Sequence, residues 1–186
     1  MARLPLISPE PGDAALKAMY DEVRARGIAL PNLYRILGHA PPLLRAWLDF
    51  AWPLRLNART PRRMRELLIL RGAQVSQTGY EWAHHLGMAL AAGVTQAQID
   101  ALPTAEDSAL FSREEKAVIR LAEEVTRGPG ASAACIEALK QHFDHAEIVE
   151  LTLTASFYVC VGRFLQSMDM DLEPGLEARG LDPKHR

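Results

Sequence analysis

Apolar residues recur every three or four positions along most of the chain, and no stretch alternates apolar and polar over a convincing length. The pattern predicts helices, and proline, glycine and capping residues mark their ends. Pro5, Pro9 and Pro11 give residues 1–12 the character of an extended arm. Asp13 can cap a first helix of about 13–26, which Gly27 ends. Pro31 resets the chain, and Asn32 can cap a short helix through Leu37. Pro41-Pro42 open a helix whose apolar face holds Leu43, Leu44, Trp47, Leu48 and Phe50, and Pro53 should kink or end it. Thr60-Pro61 pairs a capping hydroxyl with proline at the first helical position, so a helix should run to about Val75.

Gln77-Thr78-Gly79 reads as a break before a helix from about Tyr80 to Ala92, with Gly93 placed for a left-handed cap. Thr95-x-x-Gln98 and Ser112-x-x-Glu115 are capping boxes. They open a short helix to Leu102 and a longer one to about Arg127, the latter ended by Gly128-Pro129-Gly130. Residues 131–142 make one more helix, and Asp144 caps a long one through roughly Met168. Beyond Glu173-Pro174 the chain reads as irregular, a tail suited to packing on a neighbouring subunit. Val and Ile are sparse while Ala, Leu, Arg and Glu dominate, so an all-α fold follows from propensity and pattern together.

Composition narrows the function. At 186 residues and 48% hydrophobic, the chain can bury a core without staples. A net charge of -2, with acids and bases interspersed, leaves no basic stripe for nucleic acid. Cys135 and Cys160 form no CxxC, so neither a redox dithiol nor a zinc knuckle follows from spacing. Free thiols suit a reducing compartment, and the start of the chain has no signal-peptide pattern. No run of 18 apolar residues is evident, so no membrane span is expected and a cytoplasmic location is the default.

Candidate chemistry sits in Tyr80-Glu81-Trp82-Ala83-His84-His85. On a helix Glu81, His84 and His85 stand at i, i+3 and i+4 and can share a face. A carboxylate beside an imidazole supports proton transfer near neutral pH, although a water-facing polar stripe has the same pattern. Glu66 interrupts an apolar run, on a helix that the break should fold antiparallel to the Glu81 helix. That brings Glu66 into the neighbourhood of His85, the alternative being a surface glutamate paired with Arg62 or Arg63.

The stretch Arg65-Glu66-Leu67-x-Ile69-Leu70-Arg71, then Tyr80-Glu81-Trp82-x-x-His85, then Ala92-Gly93-Val94-Thr95 and Ile99, resembles the core of the carboxymuconolactone decarboxylase family, within the alkyl hydroperoxidase D-like (AhpD-like) group. The resemblance covers about residues 30–174 and implies an AhpD-like helical bundle built around an antiparallel helix pair. It divides the chain into an arm and first helix (1–30), a helical domain (31–174) and a tail (175–186). The family's hydroperoxidase branch uses a glutamate, a CxxC and a histidine. Glu66 and His85 match the first and last, but Thr78 and Glu81 stand at the cysteine positions, and neither can form a thiolate or a disulfide. Peroxidase or antioxidant activity of that kind is kept as the alternative, with the missing cysteine pair against it.

The decarboxylase branch implies, instead, a lyase without cofactor or metal, which removes carbon dioxide from a small anionic lactone or carboxylic acid and protonates the product. On that resemblance His85 donates the proton, Glu81 orients it, and Glu66 is a supporting partner behind them or an alternative acid; His84 is the alternative to His85. Arg71 would anchor a carboxylate, and Thr78, Tyr80 and Trp82 would line the pocket. The family also implies homo-oligomers, for which Trp47, Phe50 and Trp52 offer interface material, with use in the buried core an equal alternative. Two other readings stay open: a mononuclear metal site on Glu66, Glu81 and His85, and a catalytically silent small-molecule-binding oligomer.

Overall fold

The computed structural model describes residues 2–181, and among them there are helices and connecting turns but no strand. Helix α1, Ala14–Ala25, starts where Asp13 Oδ1 accepts a hydrogen bond from the Leu16 N–H at 2.7 Å. It ends before Gly27, whose φ of 75° is one that glycine adopts without steric cost. Helix α2 is Asn32–Leu37, and here the expected cap is corrected: Pro31 occupies the capping position and Asn32 is already helical. The Asn32 N–H is satisfied by Glu173 Oε1 at 2.6 Å, and its side chain donates to the Asp171 carbonyl at 3.2 Å. Helix α3, Pro41–Trp52, stops at Pro53 and passes into one wide π turn, Pro53–Asn57.

Helix α4, Arg62–Ser76, also begins without its expected cap. Pro61 holds the capping position, while the Thr60 hydroxyl and carbonyl accept from the Arg65 guanidinium. Helix α5 is Gly79–Ala91. Both capping boxes form, at the heads of α6 (Gln96–Ala101) and α7 (Arg113–Arg127), and α6 runs on into a 3-10 turn around Pro103. Helix α8 is shorter than expected, Ala133–Leu139, with Ser132 as its cap. Helix α9, His145–Met168, opens on a reciprocal pair: the Glu147 N–H donates to Asp144 Oδ1 and the Asp144 N–H to Glu147 Oε2, both at 2.9 Å.

Contacts group the described residues into two units: 2–57 with 165–175, and 58–164 with 176–181. In the first, Leu16, Tyr20 and Val23 of α1 are buried, as are Leu44, Leu48 and Trp52 of α3. Trp52 lies under the Arg26 guanidinium, 3.8 Å from its ring centroid, and is buried, the core use that the sequence left open beside an interface. Phe50 is exposed.

The second unit is built on α4, which is buried nearly all round from Met64 to Arg71. Leu68 and Ile69 pack with Val118 and Leu121 of α7, Cys135 and Leu139 of α8, and Leu151 and Ala155 of α9. Leu67 and Leu70 pack the other way, with Trp82 and Ala89 of α5, Ile99, Leu102 and Phe111. Each such side chain removed from water contributes about 1.5–3 kcal/mol. A helix enclosed on both sides explains the unbroken apolar run Leu67–Leu70, and it obliges the polar residues of the same helix to find partners.

Two further features depart from the sequence reading. Among the described residues one helix, α9, is long and apolar enough to cross a membrane by length and composition. In the fold Ile148, Leu151, Ala155 and Val161 of α9 are buried, whereas Val149 and Leu153 are exposed. The irregular tail packs Ala178 and Leu181 against this chain's own core, where the Trp82 indole N–H donates to the Arg179 carbonyl at 2.7 Å.

Candidate functional site

The site lies in the second unit, where α4 and α5 form an antiparallel pair. Reversal takes only two residues. Gln77 adopts left-handed geometry at φ 56°, and the Thr78 N–H donates back to the Ala73 carbonyl at 2.9 Å, closing the end of α4. Gly79 then starts α5 at once.

Across this pair Glu66 Oε2 lies 2.8 Å from His85 Nδ1, with Glu66 fully buried and His85 nearly so. The other Glu66 oxygen meets the guanidinium of Arg62, one turn earlier on α4. Burial pushes the Glu66 carboxyl up, but the charges and hydrogen bonds of His85 and Arg62 outweigh it and hold the group below its ordinary value. An ionised carboxylate only accepts hydrogen bonds, so the contact requires a proton on His85 Nδ1. Proton exchange with a reactant then runs through Nε2. The ring is braced by Tyr158 of α9, edge to face, with centroids 5.0 Å apart and planes at 88°.

Glu81 is disposed differently from the sequence expectation. The carboxylate that holds His85 is Glu66 from the facing helix, and Glu81 is turned toward Thr78, whose hydroxyl hydrogen-bonds it. Glu81 Oε1 is buried with no hydrogen bond. Burial drives the Glu81 carboxyl well above the ordinary range, and the Thr78 hydroxyl offsets this only in part. The two acids are therefore pushed in opposite directions: His85 and Arg62 favour the Glu66 carboxylate, and burial favours the protonated form of Glu81.

His84 points elsewhere, as a rotation of about 100° per residue requires; its ring lies 4.4 Å from the Tyr80 ring. Trp82 belongs to the core beneath the tail. Arg71, expected as a carboxylate anchor, is buried and engaged by Glu123 of α7 at 2.6 Å and by Gln74. The guanidinium that reaches the Glu66–His85 pair is that of Arg62. Among the described residues no three His, Cys, Asp or Glu side chains are grouped as a metal-ligating set. Tyr158 and Gly162 of α9 also border the site, more than 70 residues from the α4–α5 break, and no local pattern marked them.

The upward push on the Glu81 carboxyl has a measurable consequence. Its folded-state pKa lies above its unfolded value near 4.5, so its contribution to stability is complete below that pH and is lost as pH rises through the folded value. Glutamine keeps the shape without the acid. Glu81→Gln should gain stability over the wild type between about pH 5 and pH 8, by up to about 1.4 kcal/mol for each pH unit between the two pKa values. Urea unfolding at the two pH values checks this, and a difference independent of pH would show Glu81 ionised in the fold. Glu66 acts in the opposite sense: its lowered pKa gives stability above its unfolded value, lost as pH falls through the folded one.

Comparisons with known proteins agree with this architecture. Residues 41–124 match the model of the carboxymuconolactone decarboxylase family. An uncharacterized peroxidase-related protein from Ralstonia eutropha JMP134, described as an alkylhydroperoxidase AhpD core, superposes with a TM-score of 0.78 at 18% identity, covering 93% of each chain. A peroxidase-related protein from Silicibacter sp. TM1040 gives 0.76 at 18%, over 92% of this chain and 91% of that one. The debrominase Bmp8 gives 0.74 at 15%, over 87% of each chain. At such identities the likeness is one of fold. No functionally curated protein matches the sequence.

Proposed function

With a carboxymuconolactone decarboxylase-family segment at residues 41–124 and an AhpD-like all-helical fold as premises, we propose that the protein is a lyase acting by proton transfer on a small lactone or carboxylic acid. The observation that supports this most is the buried Glu66–His85 pair. In the proposed reaction the bond from substrate carbon to carboxylate breaks, carbon dioxide leaves, and the electron pair stays on an enolate. His85 returns a proton to that carbon from Nε2, and Glu66 fixes the ring and stabilises the imidazolium before the transfer. Arg62 offsets the negative charge beside the pair, and Glu81 supplies a second, uncharged acid. No step needs an oxidant or a thiol. Exposed Val149 and Leu153 offer apolar contact for the homo-oligomer that belongs to this reading.

The thiols of this chain support a reaction without them. Thr78 and Glu81 stand where the hydroperoxidase branch has its cysteine pair. Cys135 is fully buried in the α4–α7–α8–α9 core, and its thiol is pushed up to about 11, chiefly by burial. Cys160 is exposed on α9.

A panel of small lactone acids, scored for carbon dioxide release, tests the proposal. Protein alkylated at its accessible thiol should turn over at the wild-type rate. Loss of activity on alkylation without unfolding, or hydroperoxide reduction in place of decarboxylation, would transfer the chain to the antioxidant reading. Tight binding with neither activity would leave a binding module.

A further inference from the structure

Three polar side chains outside the Glu66–His85 pair line up across the break between α4 and α5. Ser76 Oγ lies 2.8 Å from Thr78 Oγ1, and the Thr78 hydroxyl in turn hydrogen-bonds the Glu81 carboxyl. Thr78 and Glu81 are both buried, at 1% and 4% exposure. Ser76, by contrast, borders a small hollow between α4, α7 and α9, with Gly72, Thr126 and Tyr158 among its other walls. A row of hydroxyls therefore leads from that hollow to a carboxyl otherwise sealed in protein.

The seal on the far side is Gly162, inside α9. A Cβ there would stand 2.8 Å from Thr78 Oγ1 and 2.9 Å from Glu81 Oε2, closer than real Cβ atoms come. Glycine within a helix is unfavourable relative to alanine. Here it permits the backbone of α9 to lie directly against the hydroxyl and the acid.

We infer that Ser76 and Thr78 form a proton path between the α4–α7–α9 hollow and the buried Glu81 carboxyl, and that Gly162 is the positioning residue that keeps the path closed around it. The step balances by relay. With Glu81 ionised, the Ser76 hydroxyl donates to Thr78 and the Thr78 hydroxyl to Glu81 Oε2. Hydronium at the hollow gives a proton to Ser76 Oγ and becomes water, the original Ser76 proton passes to Thr78, and the Thr78 proton passes to Glu81. The hops themselves leave Glu81 donating to Thr78 and Thr78 to Ser76. Ser76 ends by donating to the Gly72 carbonyl, which its Oγ reaches at 2.8 Å. Nothing is oxidised and no other bond changes. The path would serve Glu81 whatever the substrate, so it does not depend on the proposed decarboxylation.

The test uses the whole protein and needs no substrate. A protonated carboxylic acid has its own infrared carbonyl band, and the band lost in Glu81→Gln belongs to Glu81. Mixing protein from ordinary water into deuterated water shifts that band, and the rate of the shift reports proton exchange. Thr78→Val and Ser76→Ala should each slow the shift by about tenfold or more, since exchange must then wait for local opening. Thr78→Ser, which keeps a hydroxyl, should exchange at the wild-type rate. Gly162→Ala should move the band and slow exchange, by wedging a methyl between α9 and the acid. If Thr78→Val fails to fold, Ser76→Ala and Thr78→Ser decide. Wild-type exchange in Ser76→Ala, or the absence of any band removed by Glu81→Gln, would overturn the path. A Gly162→Ala band at its wild-type position and rate would overturn the positioning role.

Discussion

His85→Gln should lower turnover by about 100- to 10,000-fold, the usual contribution of a positioned general acid, while the helical circular dichroism stays that of the wild type. The two readouts separate because of what glutamine keeps. Its amide N–H can still donate to Glu66 Oε2, which now lies 2.8 Å from His85 Nδ1, so the buried anion is not left without a donor on that side. Arg62 remains on the other. What glutamine cannot do is hold and release a proton near neutral pH. Single-turnover rates on the best lactone acid, with circular dichroism on the same samples, measure both quantities. A rate within a few-fold of the wild type would remove His85 as the donor.

Trp82→Ala should destabilise the fold by about 3–5 kcal/mol, the range for emptying a large aromatic from a core. Trp82 is 1% exposed and packs in the cluster of Leu67, Leu70, Ala89, Ile99 and Leu102, with Ala178 and Leu181 of the tail against it. Its truncation also frees the Arg179 carbonyl, which accepts from the indole at 2.7 Å. Urea denaturation gives the stability, and the Michaelis constant at a temperature where the variant is folded gives the rest. A raised Michaelis constant with little loss of stability would make Trp82 the pocket wall that the family resemblance suggested.

Much of the fold was legible because its signals are local. The capping boxes at Thr95-Gln98 and Ser112-Glu115 formed, and Gly93 took its positive φ, since each needs only residues within one turn. Thr60 and Asn32 misled for the same reason. Each has the residue type of a cap, but the Arg65 guanidinium claimed Thr60, and the chain near Asp171 and Glu173 claimed Asn32.

The site divides along the same line. The approach of Glu66 to His85 followed from one tight reversal between two helices. Residue counting lacks the offset between helix axes, so it gave a neighbourhood and not a bond. The i, i+4 spacing of Arg62 and Glu66 was visible, yet nothing in it favoured Arg62 over Arg71 as the site's cation. That choice is made by Glu123 on α7, 52 residues beyond Arg71. Which acid would orient His85 was likewise set by packing. Glu81 has the right helical spacing, but α9 brings Gly162 against it and encloses it with Thr78.

A nascent chain that has emerged only as far as α8 holds Glu66, Glu81 and His85 and still lacks their shelter. Tyr158 and Gly162 lie on α9, as do the Leu151 and Ala155 that cover Leu68 and Ile69. Until that helix is made, Gly162 does not close over Glu81, Tyr158 does not brace His85, and the Leu68 and Ile69 side of α4 is left uncovered. The enclosure of the Glu66–His85 pair and of Glu81 is thus completed late in synthesis, and a prematurely terminated product would expose the apolar side of α4.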